Sequence, residues 1–125
     1  MNKYSLVKLM ENDGADNTKK LLSKPYKIDG IFSANDVAAI GSIKYLKSVN
    51  VKIPEDIAIV GFSNEPISSV IEPSLTTINQ SGFEIGKTAA NLLIKQIKNK
   101  MLEFNNETII LNSNLIKRKS SIRDN

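Results

Sequence analysis

A strand–helix–strand pattern between residues 29 and 62 constrains the fold of this chain more than any other feature. Residues 29–34 and 57–62 are short, mainly apolar segments, and the residues from Asp36 to about Val49 repeat apolar side chains at helical spacing. Asn35 is a suitable N-cap, and Asp36 lies where an acidic group favours the helix dipole. The pattern predicts an α/β fold in which a parallel sheet is flanked by helices.

The remaining elements extend this pattern in both directions. Further strands are expected where short apolar runs occur: residues 4–10, 73–78, 107–111 and 114–117. Residues 11–14 predict a turn, and a helix over residues 15–24 is expected to end at Pro25. Ser81 and Glu84 form a capping-box pattern ahead of a long amphipathic helix that runs to about Lys100.

The chain lacks the two residue types that serve most metal and catalytic sites. Its 125 residues include no cysteine and no histidine, which excludes cysteine nucleophiles and removes the most common zinc ligand and general base. We therefore predict no catalytic residue, no metal and no cofactor. An enzyme that uses Asp36 or Glu65 as an acid or base is a weak alternative, because no partner group follows at a recognisable spacing.

Charge and hydropathy indicate a cytoplasmic chain without a membrane partner. The net charge of +4 arises mainly from residues 95–100 and 117–119, which we interpret as a solvated helix end and a solvated tail. A nucleic-acid surface would need more positive charge on one face. The N-terminal apolar run is too short for a signal peptide, and no run approaches the roughly 20 residues that span a bilayer.

Polar clusters follow two of the predicted strands. They are Ser33-Ala-Asn35-Asp36 and Ser63-Asn64-Glu65. Ligands of open parallel sheets bind beyond the carboxyl ends of the strands, so these side chains predict a site for a neutral ligand rich in hydroxyl or amide groups. Helix capping and turn formation explain the same residues, and for Asn35 and Asp36 taken alone capping is the stronger interpretation.

The helix over residues 36–49 is apolar on more than one side. One side is expected to cover the sheet, and the remainder needs a second partner. Ala39, Gly41 and Ser42 are small enough to let another helix approach closely. A subunit interface and a fully internal helix are both consistent with this composition.

Several motifs, in this order and spacing, resemble the lactose-repressor/galactose-repressor (LacI/GalR) family. They are Asp29-Gly-Ile-Phe-Ser-Ala-Asn-Asp-Val-Ala-Ala-Ile-Gly41, Ile53-Pro-Glu-Asp-Ile-Ala-Ile-Val-Gly-Phe62, Pro73-Ser-Leu-Thr-Thr-Ile78, Gln80, Gly86 and Leu115-Ile-Lys-Arg-Lys-Ser-Ser121. The match covers nearly all of the chain but only about the last third of such a repressor. The resemblance implies the C-terminal portion of a periplasmic-binding-protein-like (type I) fold of two α/β lobes, with a small effector, a sugar or a nucleobase, held between them.

The resemblance assigns parts of the chain to parts of a repressor. Residues 1–78 would supply part of the C-terminal lobe, residues 79–106 the hinge crossing and an N-terminal-lobe helix, and residues 107–125 the closing strands and the tail. It also implies roles for individual residues: effector binding by Asn35, Asp36, Ser63 and Asn64; a homodimer interface at Val37, Ile40, Gly41, Lys44, Ile67, Val70 and Ile71; and a hinge at Ile78, Asn79 and Gln80.

Two departures from the family pattern limit these expectations. Ser63 stands where many members carry an acidic residue that binds sugar hydroxyls. The helix-turn-helix of such repressors is absent from these residues, so DNA contact is expected only through an N-terminal domain. A fragment of a sugar-binding transport protein, which shares the two-lobed fold, is the alternative to a fragment of a regulator.

Overall fold

The structure, a computed structural model, describes residues 9–99 and 108–123. These residues form four helices and four strands, in the order α1 (Glu11–Leu22), β1 (Gly30–Phe32), α2 (Asp36–Ser48), β2 (Ala58–Phe62), α3 (Ile67–Val70), β3 (Thr76–Asn79), α4 (Gly82–Asn99) and β4 (Asn114–Ile116).

The strands form one sheet in the order β1-β2-β3-β4. Strands β1, β2 and β3 are parallel, with Ile31 paired with Ile59 and Val60 paired with Thr76. Strand β4 is antiparallel to β3. The α/β fold with a mainly parallel sheet, predicted from the strand–helix–strand pattern, is therefore confirmed.

The N-terminal part of the described chain differs from the prediction. Residues 11–14 are the first turn of α1 and not a separate turn. The backbone N–H of Met10 donates to the carboxylate of Asp13 at 3.0 Å, and acidic groups in a first turn favour the helix dipole. Leu9 and Met10 are not in a strand, and residues 4–8 of the strand expected there lie outside the described residues.

Other differences occur later in the chain. The short helix α3 was not predicted, and residues 108–111 of the strand expected at 107–111 are not in a strand, while residue 107 lies outside the described residues. The predicted capping box is replaced by another arrangement. Ser81 has a φ of 51°, and its N–H donates to the side chain of Asn79 at 3.2 Å rather than to Glu84.

Helices α1 and α2 pack with their backbones in contact. A Cβ atom built on Gly14 would overlap the carbonyl oxygen of Ala38, and one built on Gly41 would overlap that of Glu11. Because no larger residue fits at either position, two glycines set the distance between the helices. The second partner that the small residues of α2 predicted is therefore α1 of the same chain.

The hydrophobic core lies between α2 and the sheet. Its fully buried members come from α2, from β2 and the residue before it, and from the residue before β3: Ala39, Ile43, Leu46, Ile57, Ile59 and Leu75. Burial of such side chains contributes about 1.5–3 kcal/mol each. One side of α2 is thus fixed on the sheet while the other meets α1.

The C-terminal segment completes the sheet at the amino ends of β2 and β3. Ser120 is fully buried, and its Oγ donates to the carbonyl of Ile59 at 2.6 Å and accepts from the N–H of Thr76 at 2.8 Å. Its carbonyl accepts from the N–H of Ile59 at 2.8 Å. Ser120 therefore bridges β2 and β3 at the point where their pairing begins.

Helix α4 contributes little to this packing. Among the described elements it makes no extensive contact with any other helix or strand, and Phe83, Leu93 and Ile97 on it are exposed. Within residues 9–99 and 108–123, no helix combines the length and the apolar character that crossing a membrane requires.

The contact between α1 and α2 predicts a specific response to an added methyl group. Gly41→Ala is expected to lower the free energy of unfolding by roughly 1–3 kcal/mol, because the methyl group forces the two backbones apart. Urea denaturation followed by circular dichroism measures the change.

Gly86→Ala on α4 is the matched control, since a Cβ there would meet nothing within 4 Å. It is expected to be neutral or to stabilise by up to about 1 kcal/mol, the difference in helix propensity. Equal stability of Gly41→Ala and the unmodified chain would contradict the backbone contact.

Candidate functional site

The parallel strands bring their polar carboxyl ends to one edge of the sheet. The N–H of Ser33, after β1, donates to the carbonyl of Val60 at 2.8 Å. The N–H of Ser63, after β2, donates to the carbonyl of Ile78 on β3 at 2.9 Å. Both polar clusters of the sequence therefore start at neighbouring positions along this edge.

Both polar atoms of the Asn35 side chain have hydrogen-bond partners within the protein. Its Oδ1 accepts from the N–H of Ala38 at 2.8 Å, and its Nδ2 donates to the carbonyl of Leu9 at 2.8 Å. The first bond makes Asn35 the N-cap of α2, which confirms the capping interpretation. The second ties the chain ahead of α1 to the start of α2.

The carboxylate of Asp36 is closed off from solvent, with 0% of the residue exposed. Its Oδ1 accepts from the hydroxyl of Thr77 at 2.6 Å. Its Oδ2 accepts from the backbone N–H of Glu65 at 2.8 Å and from the hydroxyl of Ser68 at 2.7 Å. These neutral donors and the N-terminus of α2 stabilise the buried acid. Both oxygens thus accept hydrogen bonds from protein groups.

Position 61 in β2 has to be glycine, because Asp36 occupies the space that a side chain would need. A Cβ built on Gly61 would overlap Oδ1 of Asp36 and approach Cδ2 of Leu75 at 3.0 Å. The Asn35-Asp36 and Gly61-Phe62 motifs therefore contact each other in the fold. The carboxylate of Asp36 fits only because residue 61 is a glycine.

The loop after β2 turns back over the sheet through two residues with positive φ. Ser63 has a φ of 119° and Asn64 a φ of 55°. The N–H of Asn64 donates to the hydroxyl of Thr77 at 3.2 Å, and its Oδ1 accepts from Nη2 of Arg118 at 2.9 Å. The φ of Ser63 costs of order 1–3 kcal/mol for a residue other than glycine. Asparagine tolerates the left-handed region of Asn64 better, so its contacts hold the loop in place against the strain at Ser63.

An aromatic pair borders the same edge. The rings of Phe32 and Phe62 meet edge to face, with centroids 6.5 Å apart and an interplanar angle of 85°. Phe32 is 64% exposed. An apolar surface therefore lies at the ends of β1 and β2, next to the polar loops.

Sequence reasoning missed the donors that shape this edge. Thr77 and Ser68 carry no local signal of their role, because the residues that they contact are far away in sequence. Arg118 was placed in a solvated tail, but its Nη1 also donates to the carbonyl of Leu75 at 2.7 Å. For Arg118 the interpretation of the basic run was wrong, whereas the neighbouring Lys117 and Lys119 are exposed.

The residues expected at a subunit interface fall into two groups. Ile40, which is 6% exposed, and Gly41 are buried inside the chain, so they offer no surface to another subunit. The others are at least partly exposed: Val37, Lys44, Ile67, Val70 and Ile71. Lys44 forms an ion pair with Glu11 at 2.7 Å.

The residues expected at the hinge lie where β3 ends. Ile78 pairs with Leu115 of β4, and Asn79 pairs with Asn114. Gln80 follows outside the strand, two residues before α4 begins. Their role as a hinge stays a prediction.

An open, mainly parallel α/β sheet with polar loops at the carboxyl ends of its strands is the architecture in which α/β proteins bind small ligands. The family model described as a periplasmic binding protein-like domain matches residues 2–121. The chain therefore belongs to the periplasmic binding protein-like domain family.

The relatives of the chain are regulators of transcription. The ribose operon repressor of Halalkalibacterium halodurans is 42% identical over 86 residues, which are 69% of this chain and 26% of that protein. The HTH-type transcriptional repressor PurR of Histophilus somni strain 2336 is 37% identical over 108 residues, which are 86% of this chain and 32% of that protein. The chain thus spans about a quarter to a third of the length of these relatives.

Solved structures give the same result. A LacI family transcriptional regulator from Enterococcus faecium, with bound ribose, matches with a TM-score of 0.79 and 34% identity, over 92% of this chain and 41% of that one. The resemblance to the LacI/GalR family, first drawn from the motifs, is confirmed.

The contact between Asp36 and Gly61 predicts non-additive effects of substitution. Gly61→Ala is expected to destabilise by about 1–3 kcal/mol through overpacking, and Asp36→Ala by at least about 2 kcal/mol through unpaired donors. In the double variant the methyl group enters vacated space. The total is therefore expected to fall short of the sum by a coupling energy of about 0.5–3 kcal/mol, measured by urea denaturation.

Gly61→Ala combined with Asp16→Ala is the control, because Asp16 is exposed on α1. That pair is expected to be additive within about 0.5 kcal/mol. The same additivity for Gly61→Ala with Asp36→Ala would show that the two residues do not share the space.

Proposed function

We propose that this chain is the effector-sensing part of a cytoplasmic LacI-type transcriptional regulator. The observation that carries the proposal is the convergence of polar loops at the carboxyl edge of the sheet, in a domain whose relatives are operon repressors. The effector is a small molecule of the sugar or nucleobase class. DNA is bound by a separate N-terminal domain of the intact regulator, and these residues perform no catalysis.

Ser63 and Asn64 contact the effector in this proposal, while Asn35 and Asp36 hold the edge in shape. The division follows from their hydrogen bonds, since the polar atoms of Asn35 and Asp36 already have protein partners. Within the described residues, the hydroxyl of Ser63 has no such partner. The exposed ring of Phe32 offers a surface for the apolar face of a sugar or base.

Two lobes are joined across the ends of β3 and β4 in the intact protein. Residues 1–78 belong to one lobe, residues 79–106 cross the hinge and supply a helix of the other lobe, and residues 107–125 return. The lack of extensive contact between α4 and the other described elements supports this division. The antiparallel pairing at Ile78 and Asn79 supports a hinge at Ile78, Asn79 and Gln80.

Effector binding acts by selecting one arrangement of the two lobes. The ligand can shift the equilibrium only by its difference in affinity for the two arrangements. Asp36 links the loop after β2 to both α2 and α3, so a displacement of Glu65 on binding moves groups on all three segments. This linkage carries the signal away from the ligand.

A chimeric repressor tests the proposal. Replacing the matching segment of the Halalkalibacterium halodurans ribose operon repressor with this chain is expected to give a repressor that responds to D-ribose in a reporter assay. The same replacement in the Histophilus somni PurR repressor, tested with purine bases, covers the nucleobase alternative. The isolated chain, with one lobe, is expected to bind one of these two ligands with a dissociation constant in the millimolar range in calorimetry.

Ser63→Asp in the ribose chimera is expected to change the response to D-ribose, and Lys119→Gln, an exposed change in the tail, is expected to leave it unaltered. Repression that neither ligand changes, in chimeras that still bind DNA, would contradict an effector role. A micromolar affinity of the isolated chain would contradict the need for a second lobe.

The same regulator forms a homodimer through α2 and α3 in our proposal. The segment from α3 to Glu72 is tied to both ends of α2, because Ser68 bonds Asp36 at the start of α2 and the ammonium of Lys47 donates to the carbonyl of Glu72 at 3.0 Å near its end. Val37, Ile67 and Val70 are exposed on α2 and α3, and Val70 has 74% of its surface free. Lys44 and Ile71 border these residues, whereas Ile40 and Gly41 serve the interior.

Val70→Lys is expected to shift a dimer toward monomer without lowering the stability of the fold, because the side chain is exposed in the single chain. Analytical ultracentrifugation at several concentrations measures the shift, and circular dichroism measures the fold. Ile40→Lys, by contrast, is expected to unfold the chain, since it buries a charge in the core.

Phe83→Lys is the matched control on α4, where the side chain is 79% exposed. It is expected to leave the dimer intact. Dissociation by Phe83→Lys and not by Val70→Lys would place the interface on α4, and a monomer at every concentration would contradict the homodimer.

A further inference from the structure

Arg118 differs from the two lysines beside it. Lys117 and Lys119 are exposed, while Arg118 is half-buried and directs its guanidinium at protein acceptors. Nη1 donates to the carbonyl of Leu75 at 2.7 Å, and Nη2 donates to Oδ1 of Asn64 at 2.9 Å. The C-terminal segment therefore reaches the loop after β2, 54 positions earlier in the chain.

The backbone of Arg118 is fixed on β3. Its N–H donates to the hydroxyl of Thr76 at 2.7 Å, and that hydroxyl also lies 2.9 Å from the carbonyl of Arg118. Two residues further on, Ser120 is buried between β2 and β3. The guanidinium thus extends from a rigid support, which limits the positions that it can take.

Asn64 is held from two directions. Its N–H donates to the hydroxyl of Thr77 and its side-chain oxygen accepts from Arg118, while its φ of 55° lies in the left-handed region, which asparagine tolerates better than most residues. A guanidinium only donates hydrogen bonds, so the amide atom that faces it is the oxygen. The Nδ2 of Asn64 is left without a partner among the described residues.

We infer that Arg118 is a positioning residue that makes Asn64 a hydrogen-bond donor to the ligand. With the oxygen held by Arg118, the amide of Asn64 can offer only its NH2 group to a bound molecule. The ligand therefore places a neutral acceptor there, such as a sugar hydroxyl or ring oxygen, or the carbonyl or ring nitrogen of a base. A cationic group is disfavoured, because it would meet a donor backed by a positive charge. The inference rests on the proposed effector site.

Nuclear magnetic resonance of the ¹⁵N-labelled 125-residue chain tests the positioning without a ligand. In Arg118→Gln we expect the side-chain NH2 resonances of Asn64 to move and the exchange of its backbone N–H to rise at least tenfold. The amide of Ile59 in the core is expected to keep its protection. Lys119→Gln, in the same segment, is expected to change neither signal. Unchanged Asn64 signals in Arg118→Gln would overturn the positioning role.

Asn64→Asp provides a second variant for the case in which Arg118→Gln does not fold. The carboxylate keeps the contact with Arg118 and loses the donor. Its backbone N–H is expected to remain protected, whereas Asn64→Ala is expected to lose protection. Equal protection in the two variants would contradict a role for the contact with Arg118.

Titration of the same labelled chain with D-ribose and with adenine tests the donor. One of these probes is expected to shift the NH2 resonances of Asn64, and Asn64→Asp is expected to weaken its binding three- to tenfold, as for one neutral hydrogen bond. Shifts along the edge that spare the NH2 of Asn64 would overturn the donor role and leave the proposed site intact. No shift anywhere would overturn both, and the ligand-free measurement would still decide the positioning role.

Discussion

The buried carboxylate of Asp36 holds this edge of the molecule together. It joins the start of α2 to β3 through Thr77, to the loop after β2 through Glu65, and to α3 through Ser68. Burying a carboxylate costs several kcal/mol, and hydrogen bonds to a charged group contribute about 1.5–3 kcal/mol each. Three such bonds therefore offset the cost of burial, and the loss of any one leaves the buried acid less well compensated. The four segments consequently behave as one unit.

The position of the Asp36 carboxylate also restricts residues that donate no hydrogen bond to it. Gly61 is required because Asp36 lies against the face of β2, and the loop after β2 has to turn back so that the N–H of Glu65 reaches the acid. The turn forces positive φ at Ser63 and Asn64. Arg118 then stabilises Asn64 from the far end of the chain. The residues at the carboxyl ends of the strands thus come mainly from the middle of the sequence, and Arg118 of the C-terminal segment stabilises them.

Local pattern explains which elements were predictable. Apolar periodicity was enough to predict β1, β2 and α2. The preference of asparagine for the N-cap position was enough to predict the role of Asn35. Residues 11–14 were misassigned because Gly14 normally interrupts a helix, and here it is retained for the contact with Ala38. The roles of Arg118 and Ser120 depend on partners more than 40 residues away, and nothing in the local sequence reports such contacts. The family motifs predicted where the polar residues lie, at the carboxyl ends of the strands. They did not predict which side-chain atoms form hydrogen bonds within the protein.

The same distinction separates architecture from ligand choice within the proposed site. Every side-chain acceptor of Asn35 and Asp36 already has a protein donor. Neither residue would therefore have to change when one neutral ligand replaces another. Ser63 and Asn64 lie on a turn whose backbone is fixed by Thr77 and Arg118, and their side chains retain polar atoms without described protein partners. A fixed backbone lets one side chain change without moving its neighbours. In the proposed site, ligand choice therefore depends on Ser63 and Asn64, and Asp36 acts by holding them in place.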